Sequence, residues 1–142
     1  RRTGGLVPDD RWAERRDLTL AAGRLARELG CNILTTHVGF IPAPNDAAYP
    51  VICQRLGEVV TSLAELGVTL LMETGQEPAS ELLQFLNDLH AKNLGVNFDP
   101  ANMILYGAGD PIDAIKTLGK HIKHVHVKDA VRSNMPGVEW GE

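Results

Sequence analysis

Four side chains able to bind a metal ion or move a proton, His37, Glu73, Asp99 and His126, each stand at or near the end of a short apolar run. The runs cover about residues 32–39, 68–72, 95–99 and 121–127, and their content of Ile, Leu, Val, Met and Phe reads as buried strand. Two carboxylates neutralise the charge of a divalent cation, and a neutral imidazole adds a directional nitrogen donor. Such a set suits a hard or borderline ion: Mn²⁺, Mg²⁺, Co²⁺ or Zn²⁺. A carboxylate at the same place can also act as a base toward a bound substrate. Each residue alone has an ordinary explanation. Glu73 could cap a helix or lie at the surface, Asp99 before Pro100 could form a turn, and either histidine could be a hydrogen-bonded ring. What separates the four from that background is their common placement.

The segments between these runs have helical periodicity. Leu18, Ala21, Ala22, Leu25 and Leu29 recur at helical spacing within residues 11–29, with Arg15, Arg24, Arg27 and Glu28 on the other face and Gly30 as the stop. Ile52, Leu56, Val59, Val60, Leu63 and Leu66 mark a second helix over 48–66, closed by Gly67, and Leu82, Phe85, Leu86 and Leu89 mark a third over 78–92. Asp110 and Pro111 form a cap and first-turn pair that opens a short helix through Leu118, with Gly119 at its end. Strict alternation of strand and helix predicts a parallel sheet with right-handed crossovers, either open and doubly wound or closed as a barrel. No GxGxxG loop follows the first strand, which disfavours a dinucleotide-binding fold. In any parallel sheet the four strand ends point one way, so His37, Glu73, Asp99 and His126 meet at one rim. Alternation in the last strand puts His124 and His126 on one face and Val125 and Val127 on the other, with at least one histidine near the core.

Composition narrows the partner. With 44% hydrophobic residues, the 142-residue chain can form a real core. A net charge of −4 supplies no basic footprint for nucleic acid or an anionic membrane, so a small diffusible substrate is expected. Cys31 and Cys53 have no disulfide or zinc spacing and read as reduced thiols, Cys53 inside a helix, in a cytoplasmic protein. No apolar run reaches the length of a membrane span, and no apolar segment follows the N-terminal arginines.

The segments Leu70-Leu-Met-Glu73-Thr-Gly, Gly95-Val-Asn-Phe-Asp99-Pro-Ala-Asn102, Tyr106-Gly-Ala-Gly-Asp110-Pro and His124-Val-His126-Val-Lys-Asp129 resemble the sugar phosphate isomerases/epimerases that share the xylose-isomerase-like barrel. The resemblance runs from about Thr35 to the C-terminus and implies a (β/α)8 TIM barrel. Residues 1–142 would form one partial-barrel domain of about four parallel strands, the family's strands three to six. That family holds one metal ion with a Glu after strand four, an Asp after strand five, a His on strand six and a Glu after strand eight. The match puts the first three at Glu73, Asp99 and His126, and makes Glu73 one of two bases that exchange the α-carbon proton of a ketose or related polyol through an enediolate. Ketose 3-epimerases of this kind contact substrate with an Arg six residues after the metal His, where Arg132 stands. They usually carry a His three residues after the metal Asp, where this chain has Asn102, a departure that leaves the particular sugar open. His37 either lines the substrate pocket or bonds a neighbouring strand, and Lys128 and Asp129 either support the site or lie at the surface. Inosose dehydratases and hexulose-phosphate isomerases are alternatives built of the same parts. Abasic-site endonucleases share the barrel, but Asn102 and the acidic balance argue against them. With only three of the four ligands, the chain alone is expected to be inactive or nearly so, and either to pair as half-barrels or to be poorly soluble. A half-barrel acting as a non-catalytic binding module is the competing class.

Overall fold

The structure, a computed structural model, describes residues 5–75 and 77–131. Its elements run α1 (Trp12–Glu28), β1 (Ile33–Thr36), α2 (Tyr49–Glu65), β2 (Thr69–Glu73), α3 (Ala79–Leu89), β3 (Leu94–Phe98), α4 (Pro100–Tyr106), α5 (Pro111–Leu118) and β4 (Ile122–Val125), with short 3₁₀ turns at Asp9–Arg11 and Gly119–His121. The strands form one parallel sheet in the order β1-β2-β3-β4. Sequential parallel neighbours joined by helices make an arc of a (β/α)8 barrel, one of the two arrangements that the alternation allows and the one that the resemblance implies.

Cross-strand register separates the two faces of the sheet. Leu70 and Met72 of β2, with Leu94, Val96 and Phe98 of β3, point outward and pack on Ile52, Leu56, Val59 and Leu63 of α2, Leu82 and Phe85 of α3, and Ala114 and Leu118 of α5. Each such side chain contributes roughly 1.5–3 kcal/mol when fully withdrawn from water. The other face carries Glu73, Asn97 and His124, aligned by the pairings Glu73 with Asn97 and Asn97 with His124. Between β3 and β4 the register shifts: Val96 pairs with Ile122, but the next residue, Asn97, pairs with His124. Lys123 is the extra residue of a β-bulge, and it resets the facing of everything after it. Ile122, before the bulge, packs against the core, and His124, after it, joins the polar face.

Three expectations need correction. The Leu18, Leu25 and Leu29 stripe of α1 is exposed by 54 to 72%, and the helix buries Gly23, whose missing side chain lets Leu63 of α2 approach. Neither His124 nor His126 lies in the core, since both are exposed on the open face of the sheet. An unpredicted helix, α4, follows β3 directly: Asp99 Oδ1 accepts from the Asn102 amide, Pro100 occupies the first turn, and Gly107 ends it with φ 65°. On the opposite flank Arg55 of α2 anchors the N-terminal segment by donating to the Val7 carbonyl at 2.7 Å and stacking over Trp12 at 5.2 Å.

Candidate metal and proton-transfer site

β2, β3 and the segment after β4 bring Glu73, Asp99 and His126 together at the C-terminal rim. One ligand atom from each lies within 4.8 Å of the others. His126 Nδ1 is 3.1 Å from Glu73 Oε1 and 3.1 Å from Asp99 Oδ2. Donors bound to one ion at adjacent positions of an octahedron with metal–ligand distances of 2.0–2.1 Å stand about 3 Å apart, so these contacts suit a shared small divalent ion. The donor set, two carboxylate oxygens and an imidazole nitrogen, fits the chemistry of such an ion as well.

The surroundings hold this arrangement. Asp99 has no exposed side-chain surface, so its charge needs local compensation. Oδ1 accepts from the Asn102 amide at 2.9 Å, and Oδ2 faces His126 and Lys128 Nζ, the latter at 3.3 Å. Thr74, also buried, clamps the Asp99 backbone: its hydroxyl accepts from the Asp99 N–H at 2.8 Å and donates to the Asp99 carbonyl at 3.0 Å. Asn102 donates through Nδ2 to Glu73 Oε1 at 3.1 Å and to the Thr74 carbonyl at 3.3 Å, while its Oδ1 accepts from Lys128 at 2.7 Å. Glu73 Oε2 accepts from Asn97 Nδ2 at 3.2 Å. Close beneath Asn102 lies Gly75 at φ 155°, where a Cβ would come within 2.6 Å of Asn102 Cβ.

The structure therefore places five of the six predicted site residues at one point. His37, just beyond β1, brings Nε2 to 3.4 Å from Glu73 Oε1, and Asn102 bonds the same carboxylate. Arg132 lies outside the described residues. Lys128 reaches the site through Asn102, and Asp129 lies at the surface, where it accepts from the Ala130 amide. Thr74 and Asn97 were not singled out from sequence. Asn97 leaves a signal, a polar residue two positions before Asp99 inside an apolar strand and hence on the same face.

Residues 3–141 match the family described as xylose isomerase-like TIM barrel. The chain belongs to that family. Among solved structures, a xylose isomerase domain protein from Planctomyces limnophilus superposes with a TM-score of 0.90 at 39% identity, over 93% of this chain and 48% of that one. An L-ribulose 3-epimerase (TM-score 0.73, 23% identity, 87% of this chain and 46% of that one) and a Mycobacterium smegmatis barrel in complex with magnesium (TM-score 0.75, 14% identity, 88% and 48%) share the fold. The uncharacterized protein YihM of Escherichia coli (strain K12) is 35% identical over 89 residues, which are 61% of this chain and 27% of that protein. The chain thus spans about half the length of the solved relatives and about a quarter of the curated one. Among the described residues no helix is long and apolar enough to cross a membrane.

Proposed function

We propose that this chain carries the metal-holding rim of a sugar or sugar-phosphate isomerase or epimerase that works by proton transfer at the carbon beside a carbonyl. The convergence of Glu73, Asp99 and His126 from three separate strands is the observation that carries this reading. The 3-epimerase and the magnesium-bound barrel of the same fold support it. Glu73, Asp99 and His126 would hold the ion, which when bound polarises substrate oxygens and so acidifies the neighbouring C–H. Glu73 is one of the two bases that the resemblance implies, its carboxylate oriented at the rim by Asn102. His37, half-exposed beside Glu73, is placed to bond a substrate hydroxyl, and Lys128 offers a cationic donor beside Asp99 and Asn102. The resemblance to ketose 3-epimerases assigns Arg132, six residues after His126, to substrate binding.

Calorimetric titration of the metal-stripped chain with Mn²⁺ tests the reading, beside a Glu73→Ala/Asp99→Ala control. Saturable binding near one ion per chain that disappears in the control is the expected result. Absence of binding both to this chain and to a chain extended to a complete barrel would overturn it in favour of a binding module.

A further inference from the structure

Glu73, Asn97 and His124 stand in one cross-strand row, on β2, β3 and β4 respectively. Asn97 is 4% exposed and uses both ends of its amide: Nδ2 donates to Glu73 Oε2 at 3.2 Å, and Oδ1 meets His124 Nδ1 at 2.8 Å. We infer that His124 and Asn97 form a positioning relay that fixes which oxygen of Glu73 faces the ligand side of the rim. The inference rests on the proposed function for its catalytic meaning, but its geometry stands apart from it.

The polarity of the relay follows from which groups can donate. A carboxylate only accepts, so the Asn97 NH₂ must face Glu73. That leaves the Asn97 carbonyl oxygen toward His124, and an oxygen there requires a proton on His124 Nδ1. The neutral ring of His124 is therefore the Nδ1–H tautomer, with Nε2 bare. In the reverse orientation of the amide, Asn97 Oδ1 would face a carboxylate oxygen, with two lone pairs opposed. Oε2 of Glu73 is thereby tied to the sheet. Oε1 is left for His126, His37 and Asn102 on the ligand side.

The bulge gives the row its third member. Continuing the Val96 and Ile122 pairing without a shift would set Lys123 opposite Asn97 and leave His124 out of the row. Inserting Lys123 as the extra residue brings in an imidazole at a length that reaches Asn97. Bulges beside active sites commonly re-aim a side chain in this way.

Two measurements test the relay. Nitrogen-15 NMR of the metal-free chain reads the His124 tautomer directly, and the Nδ1–H form is expected. Mn²⁺ titration of His124→Gln and His124→Phe then reads the consequence. Gln offers an amide N–H to Asn97 and is expected to stay within about threefold of wild type. Phe offers none and, acting on the ligand Glu73 through Asn97, should weaken binding about tenfold, the lower end of the range for removing a direct partner of a metal ligand. Both substitutions are at an exposed position, so unchanged thermal melting serves as the control for folding. Asn97→Leu, which removes the direct partner of Glu73, should weaken binding at least as much as the Phe variant. An Nε2–H tautomer, or equal Mn²⁺ affinity of the Phe and Gln variants, would overturn the relay. If wild type fails to bind Mn²⁺ at all, the proposed function falls while the tautomer still decides the relay by itself.

Discussion

Replacing Thr74 by Val is the sharpest available test of how Asp99 is held. The substitution keeps the shape of the side chain and removes only the hydroxyl, which bonds both the N–H and the C=O of Asp99 at 2.8 and 3.0 Å. Thr74 is 2% exposed and Asp99 0%, so water cannot replace what is lost. Each buried backbone group left without a partner costs about 1–3 kcal/mol, and two such groups with partial relaxation give a loss of roughly 2–4 kcal/mol. For a chain of this size that corresponds to a fall in melting temperature of about 8–15 °C. Thr74→Ser retains the hydroxyl and loses one methyl, about 1 kcal/mol, so the two variants should separate clearly in urea or thermal melts. The same pair read by Mn²⁺ titration should show the larger loss of affinity in Thr74→Val, because Asp99 Oδ2 moves with its backbone. Equal melting of Val and wild type, or equal damage by Ser and Val, would refute the clamp.

Three further outcomes follow from the same geometry. Gly75→Ala forces a Cβ to within 2.6 Å of Asn102 Cβ and 3.2 Å of Tyr106, so α4 must move; a stability loss of about 1–3 kcal/mol and weaker Mn²⁺ binding are expected in melts and calorimetry. Burial, with a smaller contribution from Glu81, pushes the Glu77 carboxyl up to about 7, above its unfolded value of 4.5. The folded state therefore holds a proton that the unfolded chain has already lost, and stability falls as pH rises from about 4.5 to about 7. Glu77→Gln should be neutral at pH 4 and stabilising at pH 8, by up to about 3 kcal/mol, and a pH-independent difference in denaturation would contradict this. Finally, the exposed Leu18, Leu25 and Leu29 stripe predicts self-association of this chain by light scattering, reduced by changing the three to Gln at a cost below about 1 kcal/mol; a wild-type monomer would count against it.

What can be read from the sequence depends on the range of the interaction that decides each feature. The helices α2 and α3 are legible because Leu56, Val59, Leu63, Phe85 and their neighbours repeat at a local period and all find the sheet. Periodicity finds α1 but not the face that packs: Leu18, Leu25 and Leu29 stay exposed, while Gly23 is buried against Leu63 and Trp12 and Leu20 pack partly on the core. Only seven residues make up α4, too few for a period to register, and Asp99 before Pro100 reads equally well as a turn. In His121-Ile-Lys-His-Val-His126 the apolar Ile122 and Val125 stand three apart, a break in alternation at Lys123-His124 that marks an irregularity, but which residue faces Asn97 emerges only from pairing with β3. The convergence of His37, Glu73, Asp99 and His126 is legible for a geometric reason: parallel strands bring their ends together whatever the length of chain between them.

That geometry also explains why the site is held so tightly by residues that are silent in sequence. Adjacent rows of the sheet contribute in different ways. One row, Glu73 with Asn97 and His124, orients a carboxylate by hydrogen bonds running perpendicular to the strands. Just above it, Thr74 bonds Asp99 across β2 and β3, and the His126 amide donates to the Phe98 carbonyl, so the two remaining donors are set by backbone register. Asn102 ties the rows together, since one amide reaches both Glu73 and Thr74 while its oxygen takes Lys128. A change of one residue in any strand's register would break at least one of these links and turn its side chains to the other face. The chemistry-bearing side chains are thus only the visible end of a lattice whose positions are fixed by pairing, and the loss of metal affinity on removing Thr74 or His124 should exceed what their distance from the ion would suggest.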